Sequence, residues 1–133
     1  MHTDASPRTR SINQLLGYAF GAVYVLVGLV GFAVTQGVGL AATQGHNLII
    51  FEVNPLHNIV HVAVGLLLGL GAMRGAGPAR VVNALVGGVY LAVGIAGLFI
   101  LDSALNILAL NHPDNILHLA SALLLLAVGV SRR

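Results

Sequence analysis

Four long apolar runs constrain this chain more than any other feature of its sequence. They cover approximately Leu15–Val34, Leu56–Met73, Val81–Leu101 and Asn115–Val130. A helix that crosses a bilayer needs roughly 20 apolar residues, and an open sheet is excluded because lipid offers no partner for backbone N–H and C=O groups. The fourth run is short, so we expect it to take its first turn from the segment around Pro113. The sequence therefore predicts an all-α membrane protein with four transmembrane helices.

The composition supports a membrane location and excludes several functional classes. Of the 133 residues, 57% are hydrophobic and only 8% are charged, whereas a soluble domain carries about 25% charged residues. The chain has no Cys, which excludes disulfides and thiolate metal sites. No basic groove with interleaved aromatic residues is present, so we expect no nucleic-acid partner. The first run is longer than the apolar region of a cleavable signal, so we expect a retained anchor in the lipid bilayer.

The placement of the arginines predicts the orientation of the chain. All six fall before the first run, between the second and third runs, or after the fourth: Arg8, Arg10, Arg74, Arg80, Arg132 and Arg133. The two opposite loops contain only acidic charges, from Glu52, Asp102 and Asp114. Because Arg-rich segments stay in the cytoplasm, we expect both termini inside a bacterial cytoplasmic (inner) membrane. Residues 1–11 would form a cytoplasmic tail.

The first and third runs share a pattern that indicates an internal repeat. A Gly, a Tyr three residues later and two further Gly residues recur at the same offsets in 21–31 and 87–97. Each copy begins a helical hairpin, and an even number of spans gives both hairpins the same orientation. We therefore predict one domain, 1–133, that is a parallel repeat of about 12–76 and 79–133, with its pseudo-two-fold axis along the membrane normal.

Glycine recurs in the apolar runs at spacings that place several glycines on one helical face. Small residues let helix backbones approach closely in lipid, where no hydrophobic effect drives association. We expect these glycines to pack inside the bundle, with a homo-oligomer face or a cofactor groove as the alternatives. The glycines concerned are Gly21, Gly28, Gly31, Gly65, Gly69, Gly87, Gly94 and Gly97.

A polar signature stands at the start of the second run and again at the start of the fourth. It reads Asn, then Asn four residues later, then His after three more, and such residues share one helix face. The two polar stripes consist of Asn54, Asn58 and His61, and of Asn111, Asn115 and His118. His57 joins the first stripe and Asp114 the second through i+4 spacing. The adjacent prolines suit a first helical turn, with Asn54 as the N-cap.

The two stripes allow three interpretations. In the structural one, the Asn side chains cap the helices and each His–Asn set donates hydrogen bonds across to the other repeat. In the second, helices 2 and 4 meet, and three imidazoles and one carboxylate bind Zn²⁺ or Cu²⁺. The ligands of that divalent metal would be His57, His61, Asp114 and His118. In the third, His61 and His118 are the axial ligands of a haem, or one of them holds a chlorophyll-type pigment.

The same motifs resemble those of a known family. Asn-Pro-Leu-His-Asn-Ile-Val-His at 54–61 and Asp-Asn-Ile-Leu-His at 114–118 are similar to the paired motifs of small bacterial, largely actinobacterial, four-helix membrane proteins. That family is classed as a domain of unknown function. The resemblance extends from helix 1 to helix 4, and it implies the four-helix fold and the membrane location without implying an activity.

The residues favour a non-enzymatic function. No nucleophile–base pair and no phosphate-binding loop are present in the sequence, so we expect no catalysis. We predict a small structural or accessory subunit of a larger membrane complex, and the alternative is an outer-surface protein that binds a metal, a haem or a pigment. A transporter is the weakest of the classes, because no charged residue lies near the middle of a span.

Overall fold

The four apolar runs form four long α-helices. The computed structural model describes residues 9–131. The helices are α1 (Ile12–Val34), α2 (Pro55–Met73), α3 (Ala76–Ile100) and α4 (His112–Val130). Each is long and apolar enough to cross a membrane, which confirms the predicted all-α multi-pass fold. Arg8, Arg132, Arg133 and most of the expected tail lie outside the described residues, and the parallel repeat and the orientation of the termini stay predictions.

All four helices begin before the apolar runs, and polar side-chain caps extend three of them, α1, α2 and α4. α1 starts three residues before Leu15, since the Ser11 hydroxyl accepts a hydrogen bond from the Gln14 N–H at 3.1 Å and the Gln14 side chain accepts one from the Ser11 N–H at 3.0 Å. Such a reciprocal cap satisfies two backbone donors. α4 takes its first turn from the Pro113 segment, as expected, and α3 starts directly after Gly75.

The connection between α1 and α2 contains a short β-hairpin that the sequence analysis did not predict. Strands β1 (His46–Leu48) and β2 (Phe51–Val53) pair antiparallel, with His46 opposite Val53. Ile49 in the turn has a φ of 60°, which is uncommon for a β-branched residue. The hairpin reaches the other half of the bundle, because the Asn111 amide donates to the Ile50 carbonyl at 3.0 Å.

The helices pack mainly as two pairs, α1 with α2 and α3 with α4, and α2 also contacts α3. The apolar core lies where the pairs meet, and it consists of Tyr24, Leu68, Val86, Tyr90, Ala122 and Leu125. Within each pair the backbones approach closely at glycines. A Cβ added to Gly65 would lie 2.7 Å from the Gly21 carbonyl oxygen, and one added to Gly87 would lie 2.6 Å from the Leu126 nitrogen.

Of the eight glycines expected to pack inside the bundle, seven leave no room for a side chain and one leaves room. An added Cβ would overlap a neighbouring helix at seven of them: Gly21, Gly28, Gly31, Gly65, Gly87, Gly94 and Gly97. At Gly69 an added Cβ would meet nothing within 4 Å, although the Gly69 backbone itself lies close to Gly21 of α1. Gly69 therefore does not need to be a glycine for the packing of this chain.

Polar side chains also tie the helices together at the end of the bundle opposite the motifs. The buried Asn83 amide donates to the backbone and side-chain oxygens of Asn13 at 2.9 and 3.0 Å. The Asn13 amide in turn donates to the Val128 carbonyl at 3.1 Å. These bonds join α1, α3 and α4, so this end of the bundle is closed by its own hydrogen bonds.

The contrast between Gly65 and Gly69 yields a matched test of the packing. We expect Gly65→Ala to lower the free energy of unfolding by about 1–3 kcal/mol, the usual cost of overpacking. Gly69→Ala should leave it unchanged or raise it by up to about 1 kcal/mol, because Ala is the better helix former. Denaturant titration of both variants in mixed micelles measures the difference. Equal stabilities would contradict the packing role of Gly65.

Candidate functional site

The two copies of the polar motif each begin a helix through an Asn cap. The Asn54 side chain accepts a hydrogen bond from the His57 N–H at 2.8 Å, and the Asn111 side chain accepts one from the Asp114 N–H at 3.0 Å. Asn and Asp rank among the best residues at this position. The first residues of α2 and α4 are thereby fixed, and with them the directions of the His side chains one and two turns later.

Asn54 also joins the two outer loops. Its amide donates to the Ala42 carbonyl at 2.9 Å and to the Ile107 carbonyl at 2.7 Å. Ala42 belongs to the α1–α2 connection and Ile107 to the α3–α4 connection. The side chain is fully buried, so a single residue holds both loops over the end of the bundle where the His motifs lie.

The second Asn of each motif packs onto a glycine of the preceding helix. Asn58 lies over Gly31 and Asn115 lies over Gly97, each so close that an added Cβ would overlap the side-chain oxygen. The Asn115 amide donates to the Gly97 carbonyl at 2.9 Å, and the Asn58 amide donates to Thr35 Oγ1 at 3.0 Å. These two bonds stay within one half of the chain, whereas the bonds that cross to the other half come from Asn54, His57 and Asn111 and end on loop carbonyls.

Three His side chains meet in the interior of the bundle. His57, His61 and His118 are each at most 3% exposed, and one ring nitrogen from each lies within 4.8 Å of the other two. The ring centroids of His57 and His61 are 4.4 Å apart, and that of His118 is 5.6 Å from the first and 5.9 Å from the second. The structure thus brings together three of the four side chains that the sequence analysis proposed as a set.

Asp114, the fourth member of that proposed set, is engaged elsewhere. Its carboxylate accepts a hydrogen bond from the Asn111 N–H at 3.0 Å, which completes the cap of α4. It is not among the converging ligand groups of the described residues. Asp114 is the third residue of α4, and in a capping box the side chain at this position bonds back to the start of the helix. Its carboxylate therefore faces the helix start.

Hydrogen bonding fixes the tautomer of one His in the cluster. His57 Nδ1 lies 2.9 Å from the Leu108 carbonyl oxygen. Since a carbonyl only accepts, Nδ1 carries the hydrogen, and Nε2 keeps its lone pair. That Nε2 lies 3.0 Å from His61 Nε2 and points into the cluster. Metal-binding His residues usually have the same arrangement, with the second ring nitrogen donating to a carbonyl or carboxylate.

Several buried polar atoms of the cluster lack a hydrogen-bond partner. They include both ring nitrogens of His118, Nδ1 of His61 and the hydroxyl of Tyr90. A buried polar group without a partner costs roughly 1–3 kcal/mol, and the interior of a membrane protein offers little water to relieve it. Four such atoms therefore lie in or beside the cluster, and others lie elsewhere in the bundle, among them Asn83 Oδ1 and Arg80 Nε.

Two tyrosines line the cluster, which the sequence analysis treated only as part of the helix repeat. The Tyr90 ring stacks on His118 at 5.2 Å between centroids and 11° between planes. Tyr24 lies 5.4 Å from His61 and 5.5 Å from Tyr90. Their equal offsets in the two repeat copies were the available sequence signal. The remaining His residues are peripheral: His46 and His112 are exposed in the outer part of the protein.

An apolar cavity of about 220 Å³ opens between α2 and α3 and ends at the cluster. Its mouth is lined by lipid-facing side chains that include Leu67, Leu85 and Val89, while its inner end is lined by Tyr90 and His118. The cavity thus connects the surface of the bundle that faces lipid with the buried imidazoles.

A family model described as "Domain of unknown function (DUF4383)" matches residues 14–131. The chain belongs to this family. The match spans all four helices and both His motifs, which confirms the family resemblance expected from the sequence. Comparisons with curated proteins and with solved structures give no match. The family assigns no activity, so the function of this member has to be argued from its own site.

The double role of Asn54 can be tested by truncation. We expect Asn54→Ala to lower the free energy of unfolding by about 2 kcal/mol or more, because it removes a helix cap, worth about 1 kcal/mol, and leaves two loop carbonyls without their donor. Asn47→Ala is the matched control, since that side chain is exposed in β1. Chemical unfolding in detergent reports both values, and a loss that does not exceed the control's would rule out the proposed bridge.

Proposed function

We propose that this protein is a non-enzymatic membrane protein that binds one divalent transition-metal ion, Zn²⁺ or Cu²⁺, through His57, His61 and His118. The observation that carries the proposal is the convergence of three buried imidazoles whose ligand atoms lie within 4.8 Å of one another. Imidazole nitrogen is a ligand that both ions accept readily, and three neutral imidazoles add no charge of their own to the bundle interior.

The distances support tetrahedral binding. At Zn–N distances of about 2.0–2.1 Å, tetrahedral geometry separates two ligand nitrogens by about 3.3 Å. The Nε2 atoms of His57 and His61 are 3.0 Å apart, close to that value. One ring nitrogen of His118 lies within 4.8 Å of the other two ligand atoms, and no hydrogen bond competes for it. Three His ligands leave the fourth position for water or an anion.

A metal ion would also satisfy atoms that the protein leaves without a partner. Binding would engage one nitrogen of His118, and the Leu108 carbonyl already holds His57 in the tautomer that offers Nε2. The structural interpretation from the sequence accounts well for Asn54 and Asn111, which cap helices. It does not account for His118, because a packing residue gains nothing from two unpaired polar atoms in lipid.

The haem or pigment alternative has less support. The three His rings are 4.4–5.9 Å apart between centroids. His57 therefore lies next to the space between His61 and His118 that a macrocycle would have to occupy. The adjoining cavity of about 220 Å³ is smaller than the roughly 300–1,000 Å³ of sites that enclose drug-sized ligands. A single ion needs neither the gap nor the volume.

The proposed site lies at the outward end of the bundle in a bacterial cytoplasmic membrane. Arg10 precedes α1, and Arg74 and Arg80 flank the α2–α3 junction, while Glu52 and Asp102 belong to the connections at the other end. Positive residues mark the cytoplasmic side. With this orientation the His motifs and the two outer loops face away from the cytoplasm, and both termini face it.

An accessory role in a larger membrane complex, or as a homo-oligomer, stays a prediction from the sequence. The lipid-facing surfaces of the helices are apolar, and they can be covered by the bilayer as well as by a partner. The buried His cluster needs a ligand whichever of these covers the surface. Metal binding is therefore the function that the geometry supports best, and co-purification in mild detergent tests for companions independently.

Metal loading of the purified protein tests the proposal. We expect about one Zn²⁺ or Cu²⁺ per chain after dialysis, and we expect His118→Gln and His61→Gln each to reduce the bound ion at least tenfold, because two ligands hold it far less tightly. The controls are His46→Gln and His112→Gln, which should keep full occupancy. Elemental analysis gives the stoichiometry, and gel filtration verifies that each variant remains folded.

A spectroscopic measurement on the unmodified protein tests metal binding even if a variant fails to fold. Loaded with Cu²⁺, the native chain should give an electron paramagnetic resonance spectrum with coupling to several imidazole nitrogens. A native protein that retains no ion after loading would refute the proposal, and so would nitrogen coupling that persists unchanged in both cluster variants.

A further inference from the structure

We infer that the site formed by the three imidazoles is selective for copper and holds the ion more tightly as Cu⁺ than as Cu²⁺ or Zn²⁺. Within residues 9–131, the ligand atoms that converge belong to His57, His61 and His118 and to no ionised group. This inference rests on the proposed ion-binding function, and it adds which ion and which charge the site prefers.

The carboxylates of the described chain are engaged or exposed outside the cluster. Residues 9–131 contain three of them, in Glu52, Asp102 and Asp114. The Glu52 carboxylate accepts a hydrogen bond from the Gly45 N–H at 2.9 Å. The Asp114 carboxylate accepts one from the Asn111 N–H at 3.0 Å, and Asp102 is exposed. None of the three converges with the imidazoles, so an ion bound there keeps its full charge.

The ligands lie where such a charge is costly. His57, His61 and His118 are 1%, 3% and 1% exposed. The free energy needed to move an ion from water into a medium of low dielectric constant rises with the square of the charge. An ion of charge +1 therefore carries only about a quarter of the penalty of an ion of charge +2. Since neutral imidazoles supply no counter-charge, the burial of this site favours the monovalent ion.

The number of ligands favours the same ion. Zn²⁺ that is held by three protein ligands takes water or another ligand in the fourth position, whereas Cu⁺ is stable with three nitrogen ligands. Among the described residues, three ligand groups converge. The adjoining cavity has apolar walls and opens toward lipid, so its walls supply no fourth ligand. Three-coordinate Cu⁺ needs none.

The side chains around the cluster keep its surroundings apolar and uncharged. Tyr90 stacks on His118 with 5.2 Å between ring centroids, and Tyr24 lies 5.4 Å from His61. Phenol hydroxyls are neutral at pH 7, and both tyrosines belong to the same core cluster as the fully buried Leu68. A hydrophobic shell controls the dielectric constant around a metal and thereby its reduction potential. Here it stabilises the reduced ion, which has the lower charge.

A preference for Cu⁺ has a consequence for bound copper. When Cu²⁺ at the site accepts one electron from a one-electron donor such as ascorbate, it becomes Cu⁺, and no bond to the protein has to break. The ratio of the two affinities sets the reduction potential, with about 59 mV for each tenfold difference. Cu⁺ that binds a hundredfold more tightly than Cu²⁺ therefore raises the potential by about 120 mV above that of the aqueous couple.

Competition titrations of the native chain in micelles measure the preference. Bathocuproine disulfonate, with ascorbate and under argon, competes for Cu⁺, and nitrilotriacetate competes for Cu²⁺ and Zn²⁺. We expect Cu⁺ to bind at least a hundredfold more tightly than either divalent ion. Equal or tighter binding of Cu²⁺ or Zn²⁺ overturns the inference and leaves the proposed ion site intact, whereas retention of none of the three ions refutes both.

A matched pair of variants tests the role of charge. His118→Asp and His118→Asn introduce side chains of the same shape that differ by one negative charge. We expect the ratio of Cu⁺ affinity to Cu²⁺ affinity to be at least tenfold lower in His118→Asp than in His118→Asn, because a carboxylate stabilises the higher charge. Asn47→Asp adds the same charge on the exposed strand β1, and it should change the ratio of the native chain less than twofold.

Equal ratios in His118→Asp and His118→Asn contradict the inference, and so does an effect of Asn47→Asp as large as the difference between them. Gel filtration verifies that each variant remains folded. If either His118 variant does not fold, the titration of the native chain decides by itself, since it compares three ions on one unmodified protein.

Discussion

The need to pair polar groups in lipid is the constraint on which this structure depends. Helix formation pairs the backbone donors and acceptors in the interior of each span, and the polar side chains at the starts of α2 and α4 bond to helix N–H groups and loop carbonyls. The buried amides of Asn58 and Asn115 find partners within their own helix pairs. Some buried polar atoms remain without a partner, and His118 is the described residue in which both side-chain polar atoms do so.

Much of the fold follows from the sequence because each span is a local property. Twenty apolar residues must become a helix in lipid, so the four helices could be predicted without knowledge of their contacts. The start of α1 was predicted late because a hydropathy pattern does not include a cap such as Ser11. The start of α3 was predicted late because its first turn, which contains Gly77 and Pro78, is not a continuous apolar run. The β-hairpin escaped prediction since His46–Leu48 and Phe51–Val53 are only three residues each, too short for a periodic pattern.

Part of the candidate site could be predicted from the sequence. The rest could not, because it depends on how the helices pack against one another. The spacing of His57 and His61 on one face requires only helix geometry, whereas the approach of His118 requires the packing of helices that are distant in sequence. The spacing also places Asp114 on the face of His118, but it does not reveal that the Asp114 carboxylate accepts a hydrogen bond from the Asn111 N–H three residues earlier. The cavity could not be predicted at all, since it depends on how α2 and α3 pack against each other.

The bridge formed by Asn54 makes the outer loops and the His cluster mechanically dependent on one another. Its amide holds one carbonyl from each loop, its oxygen fixes the turn that carries His57, and His57 in turn donates to Leu108 in the second loop. Three of these contacts, together with the bond between Ile107 and Leu108, form a closed ring, so displacement of one member strains the others. A change of sequence in either loop, distant from every imidazole along the chain, therefore alters the geometry in which the three rings meet.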